Sequence, residues 1–181
     1  MCKEKVNSNK NYLHILLNKL LYIWSVEKWG KVVNNMFTGE YRHNLDNKNR
    51  LAIPSKIRNI IGDSIVITRG LDGCLFGYDL KTFDKLIEKL NSLPFTKKDV
   101  RSFTRFFASS AITLEFDKQG RVLLPSYLLE HAQIEKNCVV VGVMDRIEIW
   151  SETKWSNFIN DNIESLSDIS ENLFDNINES L

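Results

Sequence analysis

The stretch Asp46-Asn47-Lys48-Asn49-Arg50 recurs in kind as Asp117-Lys118-Gln119-Gly120-Arg121. Each copy opens on Asp, passes through three polar or turn-forming residues and closes on Arg. Each runs into an apolar stretch ended by proline, Leu51-Ala52-Ile53-Pro54 and Val122-Leu123-Leu124-Pro125. Asn, Asp and Gly tolerate the backbone of a tight loop, and proline cannot continue a central strand. Each copy therefore reads as strand, charged loop, strand and stop. Two copies are too few for a solenoid, so a pseudo-symmetric pair sharing one core is the simpler solution.

The elements around the loops repeat as well. In the first unit, Glu40–Leu45 reads as a strand, and Pro54 opens a short helix from Ser55 to Ile61 that Gly62 closes. Ser64–Thr68 is a β-branched strand. The Asp72-Gly73 turn leads into a strand from Cys74 to Tyr78. A helix started by Asp79 or Lys81-Thr82 follows, with Phe83, Leu86, Ile87 and Leu90 at helical spacing. The second unit runs Ala111–Phe116, loop, Val122–Leu124, a helix after Pro125, then strands Cys138–Val143 and Ile147–Trp150. Ser151 caps a last helix with Trp155, Phe158 and Ile159. With a single-residue slip, Leu75 matches Ile147, Tyr78 matches Trp150 and Phe83 matches Trp155. Between the units, Thr96 reads as the N-cap of a helix with Val100, Phe103, Phe106 and Phe107 on one face. Its other face carries Lys97, Lys98, Arg101 and Arg105, either solvated or touching phosphate. The expected class is mainly β with short helices (α+β). The expected organisation is an N-terminal extension (1–35), a first unit (36–90), a connecting helix (91–110), a second unit (111–159) and an acidic amphipathic tail (160–181).

Composition excludes more than it announces. The net charge is +1, so global charge does not signal a nucleic-acid partner. Charge is uneven: residues 1–35 hold six Lys against two Glu, and 161–181 hold six acids and no Lys or Arg. Cys2, Cys74 and Cys138 are far apart and form no CxxC pair, so neither a disulfide framework nor a metal site is signalled. Tyr12–Val26 is apolar but interrupted by Asn18 and Lys19. It is shorter than the roughly 20 apolar residues of a membrane span. The residues that abound in the head have AT-rich codons, which suggests translated upstream DNA before a start at Met36.

The loops suggest DNA for a chemical reason. The planar fork of Arg donates two hydrogen bonds to guanine O6 and N7 in the major groove. An Asp four residues earlier can accept from that guanidinium and hold it ready. Arg50 and Arg121 are thus the candidate readers, Asp46 and Asp117 their supports, and Lys48 and Lys118 the candidate phosphate contacts. The competing reading is an Asp–Arg pair that only ties a turn together; the duplication weighs moderately against it. Without a nucleophile, a base or metal-ligand spacing, the residues make no recognisable active site, and no cofactor is implied.

At this point the chain resembles the MraZ family, bacterial transcriptional regulators of the division and cell wall gene cluster. The resemblance rests on Met36-Phe37-Thr38-Gly39-Glu40-Tyr41-Arg42-His43, the two DxxxR loops, and Thr68-Arg69-Gly70-Leu71-Asp72-Gly73-Cys74-Leu75. Arg101, Arg105, Phe106 and Phe107 match its connector, and Gly142 with Arg146-Ile147-Glu148-Ile149-Trp150 its second-unit end. It covers Met36 to about Phe158. It implies two SpoVT-AbrB-like swapped-hairpin β domains, a homo-oligomeric ring, and a cytoplasmic, nucleoid-associated repressor. Its partner would be double-stranded DNA, bound at G-rich direct repeats upstream of its own operon. The family's reading residues map onto Arg50 and Arg121, supported by Asp46 and Asp117. The family often has Arg where this chain has Leu129, whereas Arg58 keeps it in the first unit. If that Arg contacts phosphate, the second unit binds more weakly and Arg50 matters more than Arg121.

The resemblance also bears on the head. Trp29-Gly30 must be encoded TGGGGN, and Val32-Val33 permits a second TGG about ten nucleotides later, one turn of the duplex. Residues 26–35 are then the operator read as protein. Two rivals remain: an antitoxin-like protein-interaction module of the same fold, favoured by the acidic tail, and a hydrolase using Asp46 or Asp117, which nothing else in the sequence favours.

Overall fold

The computed structural model describes residues 36–166 and Ile169. The extension 1–35 and the tail beyond those residues, with the readings made of them, lie outside the described residues. The order is β1 (Phe37–Asn44), β2 (Arg50–Ala52), α1 (Ser55–Ile61), β3 (Ser64–Arg69), β4 (Leu75–Tyr78), α2 (Leu80–Asn91) and α3 (Lys98–Ala108), followed by β5 (Ile112–Glu115), β6 (Arg121–Leu123), α4 (Ser126–Ala132), β7 (Asn137–Met144), β8 (Arg146–Ser151) and α5 (Glu152–Asn162). The chain is mainly β with short helices, as the strand-loop-strand repeat requires.

The helix starts follow local chemistry. Pro54 and Pro125 precede α1 and α4 with φ of −53° and −61°. The Asp79 carboxylate accepts from the Thr82 N–H at 3.0 Å and so starts α2. The Ser151 hydroxyl accepts from the Lys154 N–H at 3.2 Å and starts α5. At α3 the structure differs from the expected Thr96 cap. The cap position is Lys97 and no side chain caps it. Arg101 instead reaches back and donates to the carbonyls of Phe95 and Thr96, at 2.9 and 2.7 Å. A charge-assisted bond to two carbonyls fixes the approach to the helix, so the Thr96 hydroxyl is not needed there. It also takes Arg101 away from the free basic face.

The strands form a six-stranded antiparallel sheet in the order β1-β7-β8-β4-β3-β5 and a separate ribbon of β2 with β6. Each half lends its entry strand to the other: β1 pairs with β7, and β5 pairs with β3. The hairpins are therefore exchanged, and the two halves share every layer. The registers display the pseudo-twofold. In the ribbon, Leu51 faces Val122, flanked by Arg50 opposite Leu123 and Ala52 opposite Arg121. At the centre of the large sheet, Phe76 faces Glu148, flanked by Leu75 opposite Ile149 and Gly77 opposite Ile147. The one-residue slip is the net of a longer connection after α4 and a tighter turn between β7 and β8.

The core lies between ribbon, short helices and sheet. Leu51, Val122, Ile57, Leu128, Ile65, Ile147 and Ile149 are buried there together. Gly77 lets the central strands approach, since a methyl group there would lie 2.7 Å from Ile147 Cγ1. A second cluster, with Phe76, Tyr78, Phe107 and Trp150, packs the other face of the sheet beneath α2 and α3. It includes a buried carboxylate: Glu148 accepts from Arg146 Nη2 at 2.8 Å and from Trp150 Nε1 at 3.1 Å. All its polar demand is met within the sheet, which is how a buried charge is tolerated.

Candidate functional site

The two loops meet at the ribbon. In the first, the Asp46 N–H donates to the Arg50 carbonyl at 3.0 Å, and the Asn49 N–H to the Asp46 carbonyl at 3.0 Å. The second repeats this, with Asp117 N–H to the Arg121 carbonyl at 2.9 Å and Gly120 N–H to the Asp117 carbonyl at 2.8 Å. Both turns need a left-handed residue in fourth place. Asn49 supplies it at φ 58° and Gly120 at φ 72°. Asn is among the few L residues that visit that region readily. The loops are also stitched to each other: Ile53 N–H donates to the Gly120 carbonyl, and Leu124 N–H to the Asn49 carbonyl, both at 3.0 Å.

The Asp side chains do two jobs with their two oxygens. Asp46 Oδ1 accepts the backbone N–H of Lys48 and Arg50, at 2.9 and 3.0 Å. Asp46 Oδ2 accepts Arg50 Nε and Nη2, both at 2.7 Å. Asp117 Oδ1 likewise takes the N–H of Gln119 and Arg121, at 2.8 and 3.0 Å. Its Oδ2 takes Arg121 Nε at 2.8 Å and Nη2 at 2.7 Å. The pairs then join across the pseudo-twofold. Arg121 Nη1 lies 3.4 Å from Asp46 Oδ2, and Arg50 Nη1 lies 3.9 Å from Asp117 Oδ2. Four side chains from two distant loops make one cluster, which sequence spacing alone could not place.

Each guanidinium is gripped mainly along its Nε/Nη2 edge, so donors on the Nη1/Nη2 end remain for a ligand. The Arg50 and Arg121 side chains are 32% and 23% exposed, sheltered enough to be held and open enough to be reached. The cluster itself is neutral, with two carboxylates against two guanidinium groups. Lys48 and Lys118 are exposed beside it. They occupy different places in their loops: Lys48 is third in its copy and Lys118 second. The structure thus brings the four Asp and Arg side chains together and leaves the two lysines exposed in their loops.

The carboxyl groups report the same cage. Burial pushes Asp46 up, but the N–H groups of Arg50 and Lys48 and the Arg50 guanidinium outweigh it, and the carboxyl sits below its ordinary value. The Arg121 guanidinium and backbone N–H pull Asp117 down to about 2, against the upward push of burial. A depressed carboxyl stabilises the folded loop above its unfolded pKa, and that contribution is lost as pH falls through the folded value. The loop amides of Gln119 and Arg121 should therefore hold their chemical shifts from neutral pH to about 3 and move around a midpoint of about 2. A midpoint at or above the ordinary carboxylate value in an NMR titration would contradict the Asp117 cage.

The comparisons with known proteins converge on one family. A family model described as "MraZ protein, putative antitoxin-like" matches twice, at residues 36–106 and 107–177. The chain is 54% identical over 140 residues to the transcriptional regulator MraZ of Ligilactobacillus salivarius, covering 77% of this chain and 98% of that protein. It is 53% identical over 140 residues to the proteins of the same name from Lactobacillus gasseri and Lactobacillus johnsonii, with the same coverage.

Proposed function

Since the chain belongs to the MraZ family, we propose that it is a sequence-specific DNA-binding regulator, a repressor that grips G-rich direct repeats through the paired loops. Its relatives carry the name of a transcriptional regulator, a non-enzymatic role. The observation that carries the reading is the joined cluster of Asp46, Arg50, Asp117 and Arg121. Two guanidinium groups pre-ordered by carboxylates, each with donor hydrogens left at its Nη1/Nη2 end, suit guanine O6 and N7. Arg ordered before binding loses less freedom on contact. The exposed Lys48 and Lys118 then supply phosphate contacts without sequence information.

The same geometry bears on assembly. Arg50 Nη1 is 3.9 Å from the carboxylate oxygen that also holds Arg121. The two readers of one protomer therefore serve one spot on the duplex, whereas repeats one helical turn apart are separated by about 34 Å. Successive repeats must be met by successive copies, which supports a homo-oligomer, and a closed ring is its natural form. A repressor of this kind acts at the nucleoid, in the cytoplasm. Footprinting on the DNA immediately upstream of the Met36 codon should protect G-rich repeats at single-turn spacing, with one protomer per repeat in a titration. One protomer protecting two repeats would defeat this arrangement. No protection at all would favour the antitoxin-like interaction module instead.

A further inference from the structure

The two loops are alike in hydrogen bonding but not in what packs on them. Arg58, on α1 of the first half, lies against Gly120 of the second loop. A methyl group on Gly120 would fall 2.5 Å from Arg58 Cζ, 2.6 Å from Nε and 2.9 Å from Nη1. Arg58 Nε donates to the Ile53 carbonyl at 3.0 Å. The N–H of the same Ile53 donates to the Gly120 carbonyl at 3.0 Å. The Gly120 peptide is thus held between a guanidinium and the end of β2. The equivalent turn of α4 carries Leu129, which is buried in the core. The first loop has Asn49, with a side chain, where the second has Gly120. The pairs match: Arg over Gly in one half, Leu with Asn in the other.

We propose that Arg58 is a positioning residue that braces the second loop across the pseudo-twofold, and that Gly120 is glycine because the guanidinium occupies the place of its side chain. Arg58 belongs to the first half in sequence and serves the second half in space. Its Nε is committed to the protein, so its part in binding is to fix the peptide that precedes Arg121 rather than to neutralise phosphate. The left-handed backbone at this position does not by itself require glycine, since Asn49 adopts it with a side chain. The consequence for DNA rests on the function proposed above, while the brace itself does not.

The test compares R58L, R58K, G120N and the double variant R58L/G120N. Leu occupies this turn in α4, so R58L preserves the packing of a short helix, and R58K keeps both stem and charge. Amide exchange supplies the first readout, because Ile53 N–H bonds to Gly120 while Leu124 N–H makes the equivalent bond to Asn49. In both R58L and R58K the Ile53 amide should exchange about tenfold faster, in line with a lost bond from a charged donor, with Leu124 unchanged. G120N displaces the guanidinium and should match R58L, and the double variant should exchange no faster than either. The second readout is affinity for a duplex carrying the sequence upstream of the Met36 codon, measured against salt. Both R58L and R58K should bind about tenfold more weakly with an unchanged salt slope, whereas losing a phosphate contact would flatten the slope by about 1. Unchanged Ile53 exchange in R58L, additive effects in the double variant, or full rescue by Lys with a flattened slope in R58L would each overturn the brace. A wild-type protein that fails to bind the duplex defeats the proposed function, and the exchange measurements still decide the role of Arg58.

Discussion

Arg50→Ala and Arg121→Ala should each weaken binding to a G-rich duplex by about 5- to 150-fold, the equivalent of about 1–3 kcal/mol for one bidentate guanine contact. Binding to mixed-sequence DNA should fall far less, because lysine–phosphate attraction is untouched. The singles should differ. Arg50→Ala leaves Asp46 with Arg121 Nη1 at 3.4 Å, whereas Arg121→Ala leaves Asp117 with no cation among the described residues nearer than Arg50 Nη1 at 3.9 Å. On the proposed function the less compensated carboxylate would face incoming phosphates, so Arg121→Ala should be the more damaging change. That reverses the order expected from Leu129, which ranked Arg50 first on the assumption that Arg58 meets phosphate. The double variant should fall short of additive, since the four groups share partners. Gel shift with size-exclusion chromatography as a folding control decides the matter. Unchanged affinity in both single variants would remove the loops from the interface.

The loops could be found in the sequence because their chemistry is local. An Asp that accepts its own loop N–H groups and an Arg four residues on are fixed by spacing. So are the prolines ahead of α1 and α4 and the caps at Asp79 and Ser151. Strand identities were legible for the same reason, since β-branched runs such as Ser64–Thr68 carry their own signal. Pairing is not local. Nothing in the residues of Phe37–Asn44 says that the partner is Asn137–Met144, and only the family resemblance implied exchanged hairpins. The joining of Asp46 to Arg121 had no signal in spacing either, because it follows from β2 lying against β6. Glu148 was legible only as part of a match. Its burial beneath Arg146 becomes intelligible once β8 is seen at the centre of the sheet. Thr96 misled because an Arg five residues later took over the carbonyls of the turn, a solution that the residue types alone do not favour over a hydroxyl cap.

Leu51→Ala should cost about 2–5 kcal/mol and lower the thermal midpoint by about 10 °C at fixed protein concentration. Leu51 and Val122 are fully buried and face each other at the centre of a ribbon with only three residues in each strand. So short a ribbon has little hydrogen bonding to spend. Its stability comes from the apolar contacts beneath it, including Ile57 and Leu128. Removing three carbons opens a cavity that three-residue strands, tethered at both ends by the loop bonds, cannot close. Val122→Ala removes two carbons from the same contact and should cost less, and the double variant should be non-additive because both act on one void. The exchange of β1 and β5 between halves adds a sharper expectation. A defect under the ribbon cannot be confined to the half that carries it, so calorimetry of Leu51→Ala should give one cooperative transition with matching calorimetric and van't Hoff enthalpies. Two resolved transitions would mean that the halves fold separately. The loops would then be independent sites, and the shared carboxylates could not hold both readers in one place.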